Sequence, residues 1–170
     1  MSTDWNSLYR SVFPDLVRFL HRKVWDAERA RDLAQEVFVR ALREDPEKPR
    51  SFLFAVAANL ARDEARTDLR RKRHLTLLRS ESEGRTSRLG DPVRELAERE
   101  RQEAVRAALE ALSERDREVL LLWDAGLGYP DIADRTGLAP GAVGTTLARA
   151  RRRLVAAHEA RTRQTPESRA

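Results

Sequence analysis

The sequence predicts an all-α protein made of two small helical domains joined by a flexible linker. Apolar residues recur at three- and four-residue spacing in both halves of the chain, which is the period of a buried helix face. Of the 170 residues, 6% are aromatic and 36% charged, a balance that suits small helical bundles. Ser, Gly and mixed charges without periodicity separate the two halves. We therefore expect domains at residues 1–73 and 92–160, a linker at 74–91 and a disordered tail at 161–170.

The first domain begins with two helical patterns. The first pattern contains Pro14, which is expected to kink or split the helix because proline lacks a backbone N–H. Its apolar positions are Trp5, Leu8, Tyr9, Val12, Phe13, Leu16, Phe19 and Leu20. The second pattern runs from Ala30 to Leu42, and a charged, proline-containing loop is predicted to follow at Arg43–Arg50.

A third helix is predicted to start with Ser51 as its cap. At least one of Phe52 and Phe54 is expected in the core. The buried stripe comprises Leu53, Val56, Ala57 and Leu60, with Glu64 in the next position. A glutamate at the end of the stripe indicates that the helix leaves the core there.

The second domain is predicted to open with a helix near Pro92. Ser113, with Asp116 three residues later, is a candidate cap for the following helix. Gly126 is expected to end that helix.

A helix-turn-helix is predicted next. A short helix over Tyr129–Arg135 is followed by Gly137, which can supply the positive backbone angle of a tight turn. Pro140 suits the first turn of the next helix, where its missing N–H costs nothing.

The last helix has a basic face that is expected to bind DNA. With Val143, Leu147, Ala150 and Leu154 facing inward, the opposite face carries Gly141, Ala142, Thr145, Ala148, Arg149 and Arg152, flanked by Thr146 and Arg153. Small residues at the start of this helix permit close approach to a major groove. Thr145, Thr146 and Arg149 are then expected to reach base edges, and Arg151–Arg153 to contact phosphates. The alternative is an amphipathic helix with a solvated arginine face.

The third helix carries a similar face, which includes Asn59, Arg62, Arg66 and Arg70. Asn59 has both a donor and an acceptor for a base edge, and the arginines can follow phosphates. The loop before this helix could receive a base rotated out of the duplex. A solvated helix face explains the same pattern equally well.

Composition narrows the possible functions. The net charge of +5 and the pI of about 10.3 favour polyanionic partners. The chain contains no cysteine, and its three histidines lie far apart in sequence, so we expect no metal site and no cofactor. No apolar run reaches the length of a membrane span and no signal peptide is recognisable, which predicts a cytoplasmic protein. The acidic residues are spaced as ion-pair partners for arginines, so no catalytic residue and no enzyme are expected.

Three segments together resemble the extracytoplasmic-function sigma factors of bacterial RNA polymerase. The segment "DLAQEVFVRAL" (residues 32–42) resembles the helix that binds the polymerase clamp, and "PRSFLFAVAANLARDEAR" (49–66) is similar to the segment that recognises and melts the promoter −10 element. The segment from Leu112 to Leu154 resembles the −35-binding domain.

The resemblance implies core RNA polymerase and promoter DNA as partners, and an anti-sigma factor as regulator. It assigns Asp32, Gln35 and Glu36 to the clamp-facing set, and Asn59 and Asp63 to an Asn-x-x-x-Asp pattern at the −10 element. The alternative function is a conventional dimeric helix-turn-helix regulator, which requires a self-complementary surface and a two-fold operator.

Overall fold

The computed structural model describes residues 2–78 and 90–164. The regular structure of these residues is α-helical, which confirms the predicted fold class. The helices are α1 (Trp5–Val24), α2 (Ala27–Ala41), α3 (Pro49–Leu78), α4 (Pro92–Glu110), α5 (Glu114–Asp124), α6 (Tyr129–Thr136) and α7 (Pro140–Gln164). In the described part of the chain, no helix is both long and apolar enough to span a membrane.

The described residues divide into two compact units. One comprises residues 2–78 together with 121–140, and the other residues 90–120 together with 141–164. This division departs from the chain order of the predicted domains. Within the first unit, contacts join residues 121–140 to residues 2–78: Lys48 Nζ lies 2.9 Å from Asp134 Oδ2, and Arg50 Nη2 donates to the carbonyl of Ala125 at 2.7 Å. The domain boundaries at 73 and 92 stay a prediction.

Helices α1, α2 and α3 pack around a shared apolar core. Its buried side chains are Val12, Leu16, Phe19, Leu20, Ala30, Leu33, Ala34, Val37, Phe38, Ala41, Leu53, Phe54, Ala57, Leu60 and Ala61. The rings of Phe19 and Phe54 meet edge to face with centroids 5.4 Å apart, a favourable aromatic geometry. This core holds α3 in place and so positions its exposed face.

Helix α1 is continuous through Pro14, so of the two predicted effects of this proline, a kink or a split, the split is wrong. Because proline has no backbone N–H, the helix lacks one hydrogen bond at Pro14. Val12 and Leu16, on either side of Pro14, are buried in the same core. The Asp4 side chain caps the start of α1 by accepting from the N–H of Ser7 at 3.1 Å. Burial of the flanking turns holds the helix together across the missing hydrogen bond.

Three predicted boundaries also differ from the structure. Helix α3 begins at Pro49, so Ser51 is a buried residue inside the helix and does not cap it. The same helix continues to Leu78 and overlaps the start of the predicted linker at 74–91. Helix α7 continues to Gln164, into the predicted tail at 161–170. Residues 79–89 and 165–170 lie outside the described residues.

Candidate nucleic-acid interface

The turn before α7 forms as its sequence predicts. Helix α6 ends at Thr136, and the next residue, Gly137, has a φ of 71° and donates its N–H to the carbonyl of Ala133 at 2.9 Å. An L-residue with a side chain is disfavoured at this positive φ, which explains the glycine. Pro140 is the first residue of α7. The chain therefore enters α7 with the small residues Gly141 and Ala142 in its first turn.

Helix α7 is two-faced, with Val143, Leu147 and Ala150 buried. We define the α7 surface as the predicted DNA-contacting residues that are at least partly accessible to solvent: Ala142, Thr145, Arg149, Arg152 and Arg153.

Thr146 does not belong to this surface, because it is only 5% exposed. Its predicted place on the exposed flank is wrong, because the stripe that α7 buries is wide enough to include Thr146 beside Val143 and Leu147. A side chain buried in this way does not reach a base edge.

Two arginines of the α7 surface share one buried carboxylate, that of Asp116 in the first turn of α5. Arg149 Nη2 donates to Asp116 Oδ1 at 2.7 Å, and its Nε lies 3.4 Å from Oδ2. Arg153 Nη1 donates to Oδ2 at 2.7 Å. The carboxylate is fully buried, whereas the Arg149 and Arg153 side chains are 45% and 57% exposed.

These contacts stabilise the charged forms of Asp116 and Arg149. The hydrogen bond from Arg149 is the main reason that the pKa of Asp116 lies below its ordinary value, and the bond from Arg153 acts in the same direction against the effect of burial. The same bond raises the pKa of Arg149. The sequence identified Asp116 only as part of a cap, and the backbone N–H of Asp116 does donate to Ser113 Oγ at 3.2 Å. No local pattern indicates the bond to arginines more than thirty positions away.

A second polar stripe lies along the outer side of α3. We define the α3 surface as Asn59, Arg62, Asp63, Arg66 and Arg70, all of which are exposed. Asp63 and Arg66 lie 3.9 Å apart and are both 67% exposed, so this pair is weak and open to solvent. The structure thus gathers all five predicted −10 residues on one stripe.

Asp45, in the loop between α2 and α3, and Arg50, in the first turn of α3, are each held by a side-chain hydrogen bond. Thr3 Oγ1 donates to Asp45 Oδ1 at 2.8 Å. Arg50 donates to Asp15 Oδ2 at 2.8 Å and its guanidinium lies 5.7 Å from the centre of the Phe54 ring. Sequence reasoning missed this role of Arg50, because its hydrogen-bond partners, Asp15 and the carbonyl of Ala125, lie 35 and 75 positions away.

The third candidate surface lies on α2. We define the α2 surface as Asp32, Gln35 and Glu36, of which the first two are exposed and Glu36 pairs with Arg40. The predicted residues therefore share the outer side of one helix.

A two-bond ion pair joins α2 to α3. Arg29 Nε and Nη2 donate to Glu64 Oε1 and Oε2, each at 2.7 Å. The hydrogen bond from Arg29 is the main reason that the pKa of Glu64 lies below its ordinary value. The expectation that α3 leaves the core near Glu64 misses this contact, which holds the helix against α2 at that point.

Replacing Glu64 with Gln is expected to lower the free energy of unfolding by about 1 kcal/mol at neutral pH, because Arg29 is partly exposed and solvent weakens the pair. A depressed carboxyl pKa stabilises the fold above the unfolded pKa of about 4.3, and this contribution disappears as the pH falls through the folded pKa. Urea unfolding at pH 7 and pH 3 measures both effects. Glu47→Gln, the same change at an exposed loop position, is the control. Equal stability of the two variants at pH 7 would contradict the assigned pair.

Among residues 2–78 and 90–164, no group of three or more His, Asp or Glu side chains could hold a metal ion.

The sequence profile for sigma-70 region 2 matches residues 8–73, and that for sigma-70 region 4 matches residues 102–154. RNA polymerase sigma factor YlaC of Bacillus subtilis is 32% identical over 154 residues, covering 86% of this chain and 87% of that protein. The chain belongs to the sigma-70 family of RNA polymerase sigma factors.

A second relative agrees with this assignment. The ferric citrate uptake sigma factor FecI of Escherichia coli is 32% identical over 158 residues, covering 88% of this sigma factor and 87% of that protein. The predicted resemblance to extracytoplasmic-function sigma factors is confirmed, and so is the predicted role of directing RNA polymerase to promoters. The alternative of a dimeric regulator is not favoured.

Two solved structures share the fold. The sigma factor RpoE of Bartonella quintana, in complex with the anti-sigma factor NepR, aligns with a TM-score of 0.64 and 23% identity over 92% of this chain and 97% of that one. CnrH, in complex with the cytosolic domain of CnrY, aligns with a TM-score of 0.63 and 24% identity over 92% of this chain and 88% of that one.

Proposed function

We propose that the three surfaces divide the work of initiation. The α2 surface docks on core RNA polymerase, the α3 surface engages and opens the −10 element, and the α7 surface binds the −35 element. The observation that supports this division is the position of the two DNA-facing surfaces: each is solvent-accessible and each lies inside a matched sigma-70 region, α3 in region 2 and α7 in region 4.

The chemistry of the two DNA surfaces suits different tasks. On α3, the amide of Asn59 can bond a base edge while Arg62 and Arg66 follow the backbone. On α7, the small Ala142 permits close approach, and Arg149 offers a guanidinium for guanine or phosphate. Protein groups bind, orient and unstack nucleotides in this proposal, and no chemical step is assigned to the chain itself.

Binding to polymerase adds to the promoter specificity that the two DNA surfaces provide. A small DNA-binding unit has modest affinity by itself, and docking on polymerase holds both units near a single promoter at high effective concentration. The free sigma factor is therefore proposed to bind DNA weakly and to act in the cytoplasm, where polymerase transcribes.

An anti-sigma factor is proposed as a further partner. The two solved structures of the same fold are complexes with NepR and with the cytosolic domain of CnrY. A protein of this class would act on the present chain by covering the α2 surface or the DNA surfaces.

The test is run-off transcription by core RNA polymerase with this sigma factor on a library of promoters. The most active template from that library is the selected promoter. Asn59→Ala is expected to slow strand opening at the selected promoter about tenfold or more, since a lost two-bond base contact costs about 1–3 kcal/mol. Permanganate reactivity of unpaired −10 thymines measures opening.

Asn6→Ala is the matched control, because Asn6 is an exposed asparagine on α1 that lies outside all three surfaces. It should leave opening unchanged. If the Asn59→Ala variant opens the promoter at the wild-type rate, Asn59 does not belong to the −10 surface. If the wild-type chain directs no transcription with core polymerase, the whole proposal is wrong.

A further inference from the structure

Asp116 is a buried charged group that the proposed function does not use. Its carboxylate has no exposed surface and accepts from both Arg149 and Arg153 on α7. A buried carboxylate is tolerated only where its charge is paired and its oxygens are bonded. Here both oxygens are bonded, and the depressed pKa keeps the group ionised at neutral pH.

The contact constrains how the two arginines face solvent. Arg149 and Arg153 are one helical turn apart on α7, where two cations repel each other. Arg149 directs Nε and Nη2 at the carboxylate, which fixes the plane of its guanidinium and leaves its other N–H groups to point elsewhere. Arg153 is held through Nη1. Both side chains remain about half exposed, so the groups that are not bonded to Asp116 are available to a ligand.

The carboxylate also changes the charge that the α7 surface offers. Two arginines alone carry a charge of +2, and the pair together with Asp116 carries +1. Phosphate binding depends on the number of positive charges, whereas base reading depends on the placement of donors. A side chain that is already held in place also loses less conformational freedom when DNA binds.

We infer that Asp116 is a positioning residue for promoter selectivity: it holds Arg149 and Arg153 in one arrangement and restrains their general attraction to phosphate. This inference rests on the proposed role of the α7 surface at the −35 element. Asp116 itself is buried and contacts no DNA in this scheme. It acts through the two arginines.

The test compares wild type with Asp116→Asn, which keeps the shape of the side chain and removes its charge. Holoenzyme assembled with each variant is bound to the selected promoter and to the same DNA with a scrambled −35 element. The ratio of the two affinities is expected to fall about tenfold, while affinity for the scrambled DNA stays equal or rises. The slope of log affinity against log salt should steepen by about 0.9, the value for one more phosphate contact. Asp124→Asn, the same charge change at an exposed position of α5, should leave the ratio and the slope unchanged.

Asp116→Glu is the second variant, because it keeps the buried charge and displaces both guanidiniums by one methylene. Its affinity ratio should fall about threefold or more with the salt slope unchanged. Thermal unfolding identifies which variants are folded at the assay temperature, and Asp116→Glu carries the test if Asp116→Asn is unfolded. A folded variant with the wild-type ratio, including one whose two affinities fall equally, overturns the inference.

The same assay separates this inference from the proposed function. If Arg149→Ala lowers the affinity ratio and the folded Asp116 variants do not, the role of Asp116 is wrong and the −35 assignment of α7 stands. If Arg149→Ala also leaves the ratio unchanged, the −35 assignment fails and the inference fails with it. If Asp116 acts through Arg149, adding Asp116→Asn to Arg149→Ala should lower the ratio by less than Asp116→Asn does alone.

Discussion

Replacing Phe54 with alanine is expected to lower the free energy of unfolding by about 3–5 kcal/mol, the usual cost of removing a fully buried aromatic side chain. Phe54 has no exposed surface and meets Phe19 edge to face. The Arg50 guanidinium lies over the Phe54 ring, so the substitution also removes a cation–π contact. A loss of this size is a large part of the stability of a small domain.

The matched control is Phe52→Ala, two positions earlier on α3. Phe52 is only partly buried, so the same deletion should cost less than half as much. Urea unfolding followed by circular dichroism on the full chain measures both variants. Equal losses for Phe52→Ala and Phe54→Ala would contradict the assignment of Phe54 to the centre of the α1–α3 core.

The second large effect is expected from Arg149→Ala. Transcription from the selected promoter should fall about 10- to 100-fold relative to the template with a scrambled −35 element, because a good arginine contact to guanine contributes about 1–3 kcal/mol of discrimination. The substitution also leaves Asp116 with Arg153 as its remaining arginine partner, so thermal unfolding must accompany the assay.

Run-off transcription on the two templates measures this ratio for Arg149→Ala and for Arg94→Ala. Arg94→Ala removes the same charge from an exposed position on α4, outside the three surfaces, and should preserve the ratio. A wild-type ratio for folded Arg149→Ala would remove Arg149 from the −35 surface. A loss of activity that is equal on both templates would indicate a defect in general DNA binding.

Much of the fold was predictable because helices obey a local period. Buried Val12, Leu16 and Leu20 follow the predicted three-and-four spacing, and so do Val143 and Leu147. The residue preferences of turns are also local. Gly126 and Gly137, which were predicted to follow the ends of α5 and α6, both have a positive φ.

Two of the errors, at Pro14 and Thr146, have a common cause in packing over long sequence distance. Pro14 does not split α1, because the turns on both sides of it are buried in one core. Thr146 is buried, although the helical wheel placed it beside the exposed face. Local period assigns a residue to a direction around the helix axis, but neighbouring elements decide how wide the buried stripe is.

The all-α class, the helix-turn-helix with its glycine turn, and the family were all predictable from the sequence, since each depends on residue spacing within one segment. The pairing of distant charges comes from the packing of the helices: Asp116 pairs with Arg149 and Arg153, and Arg29 pairs with Glu64. These partners are 33 to 37 positions apart. Many acidic and basic side chains along the chain have opposite charges and could pair. Only the packing of helices brings a particular acid and base within bonding distance.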